Sequence, residues 1–128
     1  MSQYPVGEPI VLPNGETAPF SPAYRAGDLL FISGQIAFEE DGTLSTGDVA
    51  HQTRLCLAAI DRILAAEGLD KSAIVKCGIW LTDKDDFAAF NEVYADYLAD
   101  HRPARFTVRS DLVVPHACVE IEATAVYK

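Results

Sequence analysis

The sequence predicts an α+β fold, with two helices packed on one face of a mixed β-sheet. Two segments place apolar residues at helical spacing, and several short apolar runs sit between turn signals. Their order along the chain, ββ-α-β-α-ββ, is that of helices gathered on one side of a sheet. At 128 residues the chain is expected to form one domain, 1–128. That length buries roughly two-thirds of the unfolded surface.

Proline and glycine cluster between Pro5 and Pro22. This stretch reads as an irregular arm with one short strand at Ile10-Val11-Leu12. Behind the turn at Gly27-Asp28 comes the apolar run Leu29-Leu30-Phe31-Ile32-Ser33. The turn Glu40-Asp41-Gly42 suggests a hairpin after Gln35-Ile36-Ala37-Phe38. The first helix is expected from about Asp48 to Glu67. Val49, Gln52, Thr53, Cys56, Ile60, Ile63 and Leu64 form its buried stripe. Thr46 is the expected N-cap, with Asp48 favouring the positive helix end. Gly68 is the expected stop, followed by apolar Leu69.

A strand follows from Ile74 to Thr82. The second helix is expected from about Asp85 to Ala99, capped by Asp83 or Asp85, with Phe87, Phe90, Tyr94, Tyr97 and Leu98 facing the core. Two strands, Phe106 to Arg109 and Ala117 to Tyr127, end the chain. Both faces of Leu29–Ile32 and of Ile74–Leu81 carry apolar residues. Strands of that kind are buried on both faces. Two helices cover only one face, so oligomerisation through the bare face is expected.

Composition narrows the function. The chain is 49% hydrophobic and 23% charged, with a net charge of −9. That charge repels nucleic-acid backbones and anionic membranes. No run approaches the roughly 18 apolar residues of a membrane span. The segment from Met1 to Pro9 lacks the pattern of a signal peptide. The three cysteines, Cys56, Cys77 and Cys118, are widely spaced and suggest reduced thiols in a cytoplasmic protein. His51, His101 and His116 are scattered, so no metal site is expected. No phosphate-binding glycine loop is present, and Ser33 has no apparent His–Asp partner to make it a nucleophile.

Arg105 and Glu120 stand in the last two extended segments, expected to be neighbouring strands. Charged residues within apolar strands are costly unless paired or used. They can form a structural ion pair. They can also form a site in which the arginine fork grips a carboxylate and the glutamate holds and polarises a water.

Several pieces of the chain resemble the RidA/YjgF family of small imine and enamine deaminases. They are Arg25-Ala26-Gly27-Asp28-Leu29-Leu30-Phe31-Ile32-Ser33-Gly34-Gln35-Ile36, Gln52-Thr53-Arg54, Phe87 to Tyr94, Pro103-Ala104-Arg105 and Val119-Glu120-Ile121-Glu122-Ala123. Each is weak alone; in this order and spacing they are specific. The resemblance implies a chorismate-mutase-like fold and a homotrimer with clefts between subunits. It implies that Arg105 holds the substrate carboxylate and Glu120 positions the attacking water. Ser33 and Gly34 would line the cleft, with Asn91 near it. Phe20 stands where the best-known branch has a tyrosine, and Thr107 where it has a cysteine. Phe20 brings no phenol to the pocket, while Thr107 keeps the backbone N–H.

Ala18-Pro19-Phe20, Ile79-Trp80-Leu81-Thr82-Asp83, and Arg105-Phe106 followed by Leu112-Val113-x-Pro115 are similar to the RutC-like branch, associated with aminoacrylate. Aminomuconate-type deaminases are another relative. The implied reaction is hydrolysis of a small enamine or imine acid, such as 2-aminoacrylate, to a 2-keto acid and ammonia, with no cofactor. Two other classes share these residues. One is a 2-keto acid binding or regulatory protein without turnover. The other is a ribonuclease, which the −9 charge and the lack of a basic-aromatic stripe oppose.

Overall fold

The computed structural model describes residues 2–128. Met1, the first residue of the segment read above for a leader, lies outside the described residues. Six strands form one sheet: β1 (Gln3–Val6), β2 (Ala23–Ala26), β3 (Leu29–Gln35), β4 (Ile74–Leu81), β5 (Ala104–Arg109) and β6 (Val119–Val126). Two helices, α1 (Val49–Ala66) and α2 (Phe87–Leu98), pack on one face, as the α+β reading expects. The sheet order is β1-β2-β3-β6-β4-β5. Only the β4–β5 pair is parallel, so the sheet is mixed. No helix is long and apolar enough to cross a membrane, among the described residues.

The expected strands did not include β1 or β2. β1 passes through Pro5, and this proline made the arm read as irregular. β1 is an edge strand, where a missing N–H costs no ladder bond. Ile10–Leu12 is not a strand; Val11 makes a single antiparallel bridge to Thr17. The expected hairpin after Phe38 likewise reduces to one bridge, Phe38 to Leu44.

Helix α1 buries Val49, Gln52, Thr53, Cys56, Leu57, Ile60 and Leu64. Its N-cap is Asp48, not Thr46: the Asp48 carboxylate accepts from the His51 N–H at 2.9 Å. Gly68 adopts φ +72° and the Leu69 N–H returns to the Leu64 carbonyl, the expected glycine stop. Helix α2 starts later than expected, after a 3-10 turn over Lys84–Asp86 capped by Asp83. It buries Phe90, Tyr94 and Leu98, while Phe87 is 43% exposed and Tyr97 is half-buried.

The helix-facing side chains of β6 are Val119, Ile121, Ala123 and Ala125, all buried. The opposite face is bare. It presents Tyr24, Leu29, Phe31 and Val108, each more than a third exposed, and the edge-to-face pair Trp80–Phe106. Phe106 lies across Gly78, where a Cβ would come within 2.5 Å of its ring.

One buried polar side chain ties the strand ends to α1. Gln52 is 1% exposed. Its Nε2 donates to the Gly47 carbonyl at 3.0 Å and to the His116 carbonyl at 2.9 Å. Its Oε1 accepts from the Cys118 N–H at 3.0 Å. Gln52 therefore fixes the loop that leads into β6. Gln52→Ala leaves these backbone groups without partners, and buried orphans cost about 1–3 kcal/mol. The urea unfolding midpoint should fall accordingly.

Candidate active site

The seven candidate residues fall into two groups on opposite faces of the sheet. Arg105 and Glu120 are not on neighbouring strands, because β4 lies between β5 and β6. Arg105 pairs in register with Cys77, and Glu120 with Trp80. Positions 77 and 80 lie an odd number of residues apart on one strand, so their side chains point to opposite faces. Among the described residues the chain holds no Arg105–Glu120 ion pair. The structural-pair reading therefore fails within one chain.

The first group lies on the helix side, at the β5 edge. The Arg105 guanidinium donates to Asn91 Oδ1 on α2 at 2.8 Å. Its centre sits 4.8, 5.6 and 5.8 Å from the ring centres of Tyr94, Phe90 and Phe87. Those rings hold the planar group by cation–π contact and take no hydrogen bond from it. Asn91 engages one nitrogen, leaving donors of the fork for a carboxylate. Thr107 shares this face, and its hydroxyl is buried with no hydrogen-bond partner among the described residues. Beside it a depression of about 290 Å³ is walled by Lys84, Phe87 and Arg109.

The second group lies on the bare face. Phe20, Ser33, Gly34 and Glu120 share a cavity of about 530 Å³. The N-terminal arm supplies Ile10 and Leu12, the segment after β3 supplies Ile36 and Phe38, and the loop before β6 supplies Val113 and Val114. Ser33 donates its hydroxyl to the Ser21 carbonyl at 2.6 Å, which commits it to structure. The Glu120 carboxylate lies against the Gly34 Cα, where a Cβ would overlap Oε2. Burial, and then the nearby Glu122 carboxylate, raise the Glu120 pKa above the ordinary 4.5. A half-buried carboxylate with raised proton affinity is suited to accepting a proton from water.

The thiols are poor nucleophiles here. Burial pushes Cys56 up to about 12 and Cys118 up to about 11. The sequence reading missed the apolar walls around Glu120 and the three rings around Arg105. One signal was available: Asn14-Gly15 between Ile10–Leu12 and Thr17 is a turn pair. It closes the arm with Leu12 and Glu16 hydrogen-bonded at 2.8 Å, and so brings Ile10 and Leu12 to the cavity.

The family model described as Endoribonuclease L-PSP matches residues 14–127. The RutC family protein of Pyrococcus horikoshii is 41% identical over 108 residues, covering 84% of this chain and 86% of its own. The 3-aminoacrylate deaminase RutC of Acinetobacter baylyi is 38% identical over 120 residues, covering 91% and 95%. The crystal structure of yeast Mmf1 superposes with a TM-score of 0.87 at 30% identity, over 99% of this chain and 100% of that one.

Proposed function

Because the chain belongs to the RidA/YjgF family, we propose that it hydrolyses small enamine and imine carboxylic acids to 2-keto acids and ammonia. The observation that carries this reading is Glu120: a half-buried carboxylate with raised proton affinity, held at a cavity wall. The named activity of the Acinetobacter relative supports it.

The site is completed by a second copy. Arg105 and Glu120 face opposite sides of one chain, so a substrate bridges them only where the β5 edge of one copy meets the bare face of another. The exposed Tyr24, Leu29, Phe31 and Val108 favour such an assembly. We assign it as a homotrimer with three clefts, and light scattering should give about three times the chain mass of 13.9 kDa. A 14 kDa particle at micromolar concentration contradicts it.

In the reaction, the enamine first tautomerises to an imine. Arg105 holds the carboxylate, with Asn91 fixing the guanidinium, a positioning effect. Glu120 takes a proton as water adds to the imine carbon. It returns that proton to nitrogen, giving a carbinolamine. The hydroxyl proton then passes through Glu120 to the nitrogen as the C–N bond breaks and the C=O bond forms, and ammonia leaves a 2-keto acid. Thr107 offers its backbone N–H beside the carboxylate. Phe20 and Gly34 shape the cavity.

The test is ammonia and keto acid release from an imine generated in situ. Keto acid binding without turnover would favour a binding or regulatory role, a reading that Phe20 supports by bringing no phenol to the water. Arg105→Lys keeps the charge and loses the fork. Carboxylate binding should weaken by about 1.5–3 kcal/mol, read by calorimetry with a keto acid.

The acid limb of the pH–rate profile should follow Glu120. Its raised pKa means that the working carboxylate is lost as pH falls through a midpoint above the ordinary 4.5. Glu122→Gln removes the like charge, so the midpoint should move down. It should stay above the ordinary value, because burial, the larger cause, remains.

A further inference from the structure

We propose that helix α2 seats Arg105 for its carboxylate, with Tyr94 as the residue that positions the guanidinium. The inference rests on the reading of Arg105 as the group that holds the substrate acid, and it adds a positioning residue to that reading.

Phe87, Phe90, Asn91 and Tyr94 stand at i, i+3, i+4 and i+7, so they share one side of α2. That side serves two ends. Phe90 and Tyr94 belong to the buried core. The same two rings, with Phe87, also surround the Arg105 guanidinium. Tyr94 comes nearest, with its ring centre 4.8 Å from the guanidinium carbon. Phe90 lies against Tyr94, their ring centres 5.5 Å apart.

Tyr94 offers its face and not its hydroxyl. The hydroxyl is buried and has no hydrogen-bond partner among the described residues. Burial, and then the neighbouring Cys77 thiol, push its pKa up, so it stays a neutral phenol and forms no ion pair with the guanidinium. No carboxylate pairs with Arg105 either, among the described residues. The cation is held by ring faces and one amide oxygen, and its charge is left for an anion from outside the chain. Cation–π contact fixes a guanidinium in place without neutralising it. A carboxylate from the chain would fix it as well, but would compete with the substrate for the fork.

Gripping a carboxylate with two hydrogen bonds needs the fork in one pose. An arginine that spends part of its time elsewhere binds with an affinity reduced by that fraction. Asn91 engages a single nitrogen, so without the Tyr94 face the guanidinium is released toward other rotamers.

The experiment uses the full chain. Pyruvate is the carboxylate probe, read by calorimetry, and kinetics follow ammonia release from an imine generated in situ. Tyr94→Leu should weaken pyruvate binding about tenfold, within the range for a buried cation–π contact. KM should rise in step while kcat stays within about threefold, because the lost interaction is made equally in the ground and transition states. Tyr94→Phe keeps the ring face and should restore the parental affinity. It also removes an orphan hydroxyl, so the urea midpoint should not fall. Phe87 is exposed and its contact is longer, at 5.8 Å, so Phe87→Leu should weaken pyruvate binding by only about threefold.

Parental pyruvate affinity in Tyr94→Leu, with a lowered urea midpoint, makes Tyr94 a core residue and overturns the proposal. Should Tyr94→Leu not fold, parental affinity in Phe87→Leu overturns it instead. A loss in Tyr94→Phe as large as in Tyr94→Leu moves the role to the hydroxyl and overturns the seat. Ranked pyruvate affinities in a chain that turns over no imine overturn the deaminase reading and leave the seat standing. A parent chain that binds no pyruvate overturns both.

Discussion

Glu120→Gln is expected to lower imine hydrolysis by roughly 10²–10⁴-fold, the range for losing a general base. The amide keeps the shape of the carboxylate, so assembly and keto acid binding should persist. Stability should not fall. Folding raises the Glu120 pKa, so the folded chain favours the protonated, neutral form. An acid shifted upward makes the fold more stable below its shifted pKa and less stable as pH rises through it. A neutral amide removes that cost at neutral pH. The melting temperature should therefore be unchanged or slightly higher. Arg105 is not orphaned within its own chain, since Asn91 and three rings hold it. Hydrolysis within about threefold of the parent, with a lowered melting temperature, would make Glu120 a structural residue.

Gly34→Ala is expected to lower hydrolysis by about 10²-fold with little loss of stability. The new methyl would overlap Glu120 Oε2 and lie 3.0 Å from its Cδ. The backbone at Gly34 has no positive φ that only glycine tolerates. The carboxylate is the far end of a flexible side chain, so it swings away rather than the sheet deforming. A displacement of about 1 Å in a catalytic group costs about 10²-fold. The urea midpoint should correspond to a change within about 0.5 kcal/mol, as for ordinary exposed positions. Parental kcat in this variant would show that the orientation of Glu120 against Gly34 is irrelevant to the reaction.

Several elements were legible because their determinants are local. The α1 stripe follows helical spacing, and Gly68 with Leu69 ends it where expected. In β6 strict alternation separates buried Val119, Ile121 and Ala123 from Glu120 and Glu122. Caps were less legible. Thr46 and Asp48 both suit the role, and the helix begins at Val49, which puts Asp48 in it. Phe87 fits the α2 stripe, yet lies at its exposed start, where it meets Arg105 rather than the core.

The candidate residues themselves were readable as chemistry: an arginine for a carboxylate, a glutamate for water, and a small Gly34 beside it. Their grouping was not. Two extended segments in succession suggest a hairpin, but β5 follows α2 from β4 and returns parallel to it. A crossover of that kind places β5 on one side of β4 and leaves the other side to β6. One intervening strand and an odd register offset then put Arg105 and Glu120 on opposite faces. Residue types and local periods determined that this chain has two helices over a sheet, with an arginine suited to gripping an acid and a glutamate suited to holding water. The long-range strand order, which no local spacing encodes, decided that one chain carries the set as two separated halves.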